Sequence, residues 1–134
     1  MVHIELAYRG QLLCEATHGP SGATVATDAP LDNGGRASSF SPTDLVATAL
    51  GACMLTIVGK VAERAGIPMD GAKASVVKHM QQEPVRRIQK LEVRLELPGV
   101  PVERRASLER AAMTCPVHQS LLHDIEIPVE FVWS

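Results

Sequence analysis

Two cysteines in this 134-residue chain stand where sulfur chemistry is possible. Cys53 lies in Ala49-Leu50-Gly51-Ala52-Cys53-Met54, and Cys115 in Thr114-Cys115-Pro116-Val117-His118. A thiolate can attack a peroxide O–O bond, become a sulfenic acid and release an alcohol. A second thiol can condense with that sulfenic acid to a disulfide, which an external dithiol then reduces. The pair must bring its Cα atoms within about 7 Å. Each cysteine also has a plainer reading. Cys53 can be a small core hydrophobe, since free cysteine packs as one and apolar burial makes it inert. Cys115 can be a structural cap, because Pro116 falls at the first position of a short helix. The same cap position favours a thiolate through the helix dipole and unpaired N–H groups.

Other chemistry is poorly represented. Cys14 belongs to an early strand and reads as structural. Cys115, His118 and His123 are zinc-ligand types, but no second Cys-x-x-Cys or His-x-x-x-His completes a metal site. There is no phosphate loop and no Gly-x-Ser-x-Gly. A net charge of -2 gives no reason to expect a nucleic-acid or acidic-membrane partner. Met1-Val2-His3-Ile4-Glu5 has no basic segment leading into an apolar run. The expectation is a cytoplasmic, reducing location, where cysteines are more often catalytic, redox-active or structural thiols than permanent disulfides. Three cysteines cannot all pair within one chain.

The elements that would position these thiols are legible from period and punctuation. Val2, Ile4, Leu6 and Tyr8 alternate with polar or small residues and predict a half-buried strand. Arg9-Gly10 predicts a turn, Leu12, Cys14 and Ala16 a return strand, and Thr24 to Thr27 a third. Asp28 to Phe40 reads as loop. A long helix should start at Ser41, with Pro42 at its first position and Asp44 completing a capping box. It should run to about Ala65, ending at Gly66 with Pro68 beyond. Leu45 to Gly59 is apolar all round, which predicts a helix enclosed on every side. That stretch is shorter than the roughly 20 residues of a membrane span. Lys73 to Met80 and Ile88 to Leu97 predict strands, the second with Leu91, Val93, Leu95 and Leu97 on one face. Val102 to Met113 predicts a helix, Pro116 to Leu122 a short one, and Ile125 to Trp133 the last strand.

The order of strands, long helix, strands, helix, strand predicts a single α+β domain over 1–134, with mostly antiparallel sheet. A lone small chain can hardly cover a helix with no polar face. A homodimer that sandwiches this helix between subunits is therefore expected.

Ser41-Pro42-Thr43-Asp44-Leu45 through Ala49-Leu50-Gly51-Ala52-Cys53 resembles the first-cysteine motif of the OsmC/Ohr family. Cys115-Pro116-Val117, followed by His118, resembles its second. The order of elements is similar along essentially the whole chain. The resemblance implies an intertwined homodimer, with mostly antiparallel sheets around a long buried central helix. It implies a hydroperoxide reductase acting in oxidative-stress defence, with Cys53 attacking the peroxide and Cys115 resolving. No metal, haem or flavin is implied. The substrate would be an organic or lipid-like hydroperoxide, and the reductant an external dithiol such as a lipoylated protein or thioredoxin. Where the family often has Glu, this chain has Thr43, with Asp44 one place later. Asp44 and Cys53 lie about 180° apart on a straight helix. Asp44 therefore either serves the partner's site or only caps its helix. The Arg that the family's hydroperoxide enzymes carry in their early strands is absent from His18 to Thr24. Arg36 is the nearest substitute, or else a solvated loop charge. Leu50, Met54, Leu108 and Met113 are the expected apolar lining. The alternative is an OsmC-like homodimer with weak or no peroxidase activity that binds an apolar ligand, or a fold whose cysteines are only buried.

Overall fold

The computed structural model describes residues 1–121 and 123–134. It comprises two compact units, Met1–Val46 and Ala47–Ser134. The first is an antiparallel meander of β1 (Ile4–Gly10), β2 (Leu13–His18) and β3 (Thr24–Asp28). Ile4 pairs with His18, Leu6 with Ala16 and Tyr8 with Cys14, so these side chains share one face. The hairpin turn is not Arg9-Gly10, because pairing continues to Gly10 opposite Leu13. Gln11 and Leu12, at φ 54° and 64°, make the turn instead. Positive φ at both central residues matches the twist of the flanking strands. The apolar side chains of β1 alternate as expected, but Ile4, Leu6 and Tyr8 are exposed rather than half-buried.

The loop after β3 is tied to Asp28, which is 1% exposed. Its Oδ2 accepts the Ser38 N–H at 3.0 Å and the Ser38 hydroxyl at 2.6 Å. These bonds, the hydroxyl first, hold its carboxyl below the usual carboxylate pKa. Within the loop a Cβ at Gly35 would stand 1.8 Å from the Ala29 carbonyl oxygen, so only glycine fits there.

The long helix α1 (Pro42–Arg64) has the predicted ends. Ser41 Oγ accepts the Asp44 N–H at 3.1 Å, and Asp44 Oδ2 accepts the Ser41 N–H at 2.9 Å, a reciprocal capping box. At the other end Gly66 takes φ 67°. Gly66 N–H donates to Glu63 O and Ile67 N–H to Ala62 O, which closes the last turn as a Schellman motif. By length and composition α1 is the one helix among the described residues that could cross a membrane. The expectation that it is enclosed on all sides fails within a single chain. Its buried residues are Ala47, Leu50, Gly51, Met54, Val58 and Ala62, one stripe at helical spacing, while Ala49 and Ala52 are exposed. One chain supplies packing to one face only.

In the second unit β4 (Lys73–Gln81) pairs antiparallel with β5 (Arg87–Glu96), and β5 pairs in parallel with β6 (Val129–Val132). The last strand is shorter than Ile125 to Trp133. Before Val129, Glu126 bridges to the sheet opposite Lys90, and the Pro128 carbonyl accepts the Val93 N–H at 2.9 Å. Leu91, Val93, Leu95 and Leu97 are buried together, as the alternation demands. The opposite face carries charges: Lys73 with Glu96 at 3.1 Å, Arg94 with Glu96 at 3.3 Å, and His79 with Glu92. α1 lies close over β4, since a Cβ on Gly51 would come 2.9 Å from Val76 Cγ2. α2 (Val102–Met113) buries Leu108 and Ala112. α3 (Pro116–Ser120) follows directly. It stops short of the expected end, and Leu122 lies outside the described residues.

Candidate active site

Cys115 belongs to the buried stripe begun by Leu108 and Ala112, spaced by four and then three residues along α2. It is 0% exposed. Pro116 opens α3 at its first position, which leaves Cys115 as the N-cap. Its Sγ accepts the His118 N–H at 3.3 Å. The capping reading of Cys115 is thus correct. Burial is the largest influence on Cys115 and raises its pKa; the Val117 and His118 N–H groups lower it; Cys53 raises it by hydrogen bonding and by charge. Two thiols act on one another in this way only at close range. The result is that Cys115 keeps its proton above the ordinary thiol pKa.

Cys53 sits beside the buried stripe of α1, between Leu50 and Met54, and is half-buried. It is neither sealed in the core nor fully exposed. Its thiol acts on that of Cys115 and raises the Cys115 pKa. Cys14 belongs to the first unit, opposite Tyr8 and Thr27 on the meander.

The other candidates, Asp44 and Arg36, belong to the first unit. Asp44 is engaged in the capping box at the start of α1. Arg36 is exposed in the loop of the first unit. Of the expected apolar lining, Leu50, Met54 and Leu108 are 0% exposed, while Met113 is 37% exposed. Two features were not read from sequence. One is a recess of about 210 Å³ bounded by His118, Leu121, His123, Ile125 and Ile127. Its only sequence signal is the apolar alternation at Ile125 and Ile127, which was read as strand. The other is Asp28, whose position before Ala29-Pro30 and a Gly-rich loop could have marked it as a loop anchor. A larger groove of about 340 Å³ lies over the charged face of the second sheet and contains no cysteine. Chemistry, rather than size, puts the candidate site at the thiols. No group of three His, Cys, Asp or Glu side chains in metal-binding geometry occurs among the described residues.

The fold defines an α+β protein with two three-stranded sheets and a long helix. The OsmC-like protein family profile matches residues 34–130. The chain belongs to this family. A protein of Psychrobacter arcticus 273-4, described as an osmotic stress induced and detoxification response protein, is 36% identical, with a TM-score of 0.91 over 98% of this chain and 96% of that one. An organic hydroperoxide resistance protein of Elizabethkingia anophelis is 17% identical, with a TM-score of 0.79 over 100% of this chain and 96% of that one. One from Legionella pneumophila is 16% identical, with a TM-score of 0.75 over 98% and 96%. The last two likenesses establish the fold. Among curated proteins, none matches.

Proposed function

We propose that this protein is a thiol-dependent hydroperoxide reductase of oxidative-stress defence, with Cys53 as the attacking sulfur and Cys115 as the resolving one. The observation that carries this reading is the unequal pair: Cys115 is sealed from solvent and held protonated, and it lies against the half-buried Cys53. A peroxide can meet only the accessible sulfur. The Cys53 thiolate attacks one peroxide oxygen, the O–O bond breaks, and the leaving alkoxide takes a proton to become an alcohol. Cys53 is then a sulfenic acid. The Cys115 sulfur attacks it, water leaves, and a disulfide remains. An external dithiol, on a lipoylated protein or thioredoxin, reduces it. The family membership and the hydroperoxide-resistance proteins that share the fold support the same substrate class. Asp44 and Arg36 are proposed contributors to the site, and a cytoplasmic location suits the need for a reductant.

The chain is proposed to work as a homodimer. The open face of α1 and the exposed Ile4, Leu6 and Tyr8 are apolar surface that a second copy would cover. A second reading is favoured by one observation. A recess of about 220 Å³ lined by Ile4, Ala16, His18, Ala23, Thr24 and Val25 suits an apolar ligand, with the thiols unreactive. Thiol titration before and after cumene hydroperoxide separates the two. Loss of two thiols per chain is expected for the reductase. No loss would leave the binding protein.

A further inference from the structure

The recess of about 210 Å³ beside α3 has two kinds of wall. Leu121, Ile125 and Ile127 are aliphatic and half-buried, and His118 and His123 are imidazoles. The aliphatic wall is fixed by backbone bonds to β5. The Glu126 N–H donates to the Gln89 carbonyl at 3.0 Å, and the Glu126 carbonyl accepts the Leu91 N–H at 2.8 Å. His118 is set as a donor. Gln119 Nε2 donates to the Met113 carbonyl at 2.9 Å and stands 3.5 Å from His118 Nδ1. An amide nitrogen does not accept, so Nδ1 is the acceptor and the ring proton sits on Nε2. That Nε2–H is left to donate to a bound group. Among the described residues no carboxylate is a wall of the recess, and nearby Asp124 is paired with Arg87 at 3.3 Å.

We infer that this recess binds a short aliphatic monocarboxylate, its chain against Leu121, Ile125 and Ile127 and its carboxylate accepting N–H bonds from His118 and His123. The volume sets the chain length. At about 30 Å³ for each water-sized group, 210 Å³ holds about seven of them. Sites for drug-sized ligands run to about 300–1,000 Å³, so a long acyl chain does not fit inside. The donors set the head group. An ionised acceptor makes a hydrogen bond roughly twice as strong as a neutral one, which favours a carboxylate over a hydroxyl. An ammonium offers the imidazoles no acceptor. Neither Cys53 nor Cys115 is a wall of the recess, so the site stands whether or not the thiols turn over.

The test is a titration of the full chain with hexanoate, followed by NMR at the ring C–H signals of His118 and His123. Both signals should shift and saturate. 1-Hexanol, which lacks the charged acceptor, should bind about ten-fold more weakly. Acetate, which lacks the chain, should lose at least as much. H118A should weaken hexanoate about ten-fold, the weight of one hydrogen bond to a charged group. H118Q keeps an N–H donor and should recover most of that loss. Hexanol binding as tightly as hexanoate removes the head-group recognition and overturns the inference. Acetate binding as tightly removes the aliphatic wall and overturns it equally. So does an unchanged hexanoate affinity in H118A, or shifts confined to the other apolar recess around Ile4 and Val25. Absence of any saturable shift overturns it outright. None of these outcomes touches the reductase reading, which thiol titration with cumene hydroperoxide decides separately.

Discussion

At the scale of single residues, the two cysteines differ in what surrounds them. Cys53→Ser should abolish turnover, because it removes the sulfur that meets the peroxide. Cys115→Ser should allow about one equivalent of peroxide per chain to be consumed and then stop. A coupled assay with a stopped-flow burst distinguishes these, and full activity in Cys53→Ser would refute the assignment. The raised pKa of Cys115 adds a pH dependence. Disulfide closure needs this sulfur deprotonated, so the closing step should accelerate as pH rises past neutrality and should not level off by about pH 8. Stability moves the other way. The folded state keeps the proton where the unfolded chain has lost it. The advantage is complete below the unfolded thiol pKa and is lost as pH rises through the folded value. The wild type should therefore lose denaturant resistance in alkaline solution more steeply than Cys115→Ser.

Asp28 supplies the opposite sign in the first unit. Its carboxyl pKa is lowered, chiefly by the Ser38 hydroxyl. Its contribution is present above the unfolded carboxylate pKa and is lost as pH falls through the folded value. Asp28→Asn should flatten the acid limb of the stability profile in a urea titration.

At the scale of elements, the contact of α1 with β4 turns on one glycine. A Cβ at Gly51 would meet Val76 Cγ2 at 2.9 Å, whereas one at Gly59 meets nothing within 4 Å. Gly59→Ala should therefore stabilise by about 0.5–1 kcal/mol, the ordinary gain from replacing a helical glycine. Gly51→Ala has the same propensity gain set against overpacking of about 1–3 kcal/mol. A net loss of about 1 kcal/mol is expected, measured by urea denaturation. If the two alanine variants proved equally stable, the close approach of α1 to β4 would be wrong. The helix ends were legible because their signals are local. Ser41, Pro42 and Asp44 act on one another within three residues, and Gly66 closes the other end through bonds to Glu63 and its neighbours. The first hairpin was less legible. Gly10 looked like the turn, but it takes positive φ inside the paired region, and Gln11 and Leu12 turn the chain. The last strand was read too long for a related reason. Ile125 and Ile127 alternate as strand residues do, yet they line a recess.

At the scale of the whole molecule, the chain leaves apolar surface open: Ile4, Leu6, Tyr8, Val25, Leu31 and Phe40 are all exposed. Light scattering should give twice the chain mass at micromolar concentration. A monomer in dilute solution would defeat the homodimer. Leu6→Lys, in the open face of β1, should shift the protein toward monomer, because it places a charge where apolar burial drives association.

The residues alone determined where helices begin and end, which strand faces are apolar, and which two sulfurs to suspect. Those properties follow from hydrogen bonds and periodicities spanning a few positions. Only the tertiary structure decided that Cys115 is sealed, that its burial and the nearby Cys53 raise its pKa, and that Leu50, Met54 and Leu108 are fully buried. Distance, burial and proton affinity depend on neighbours remote in the chain, and no local pattern carries that information.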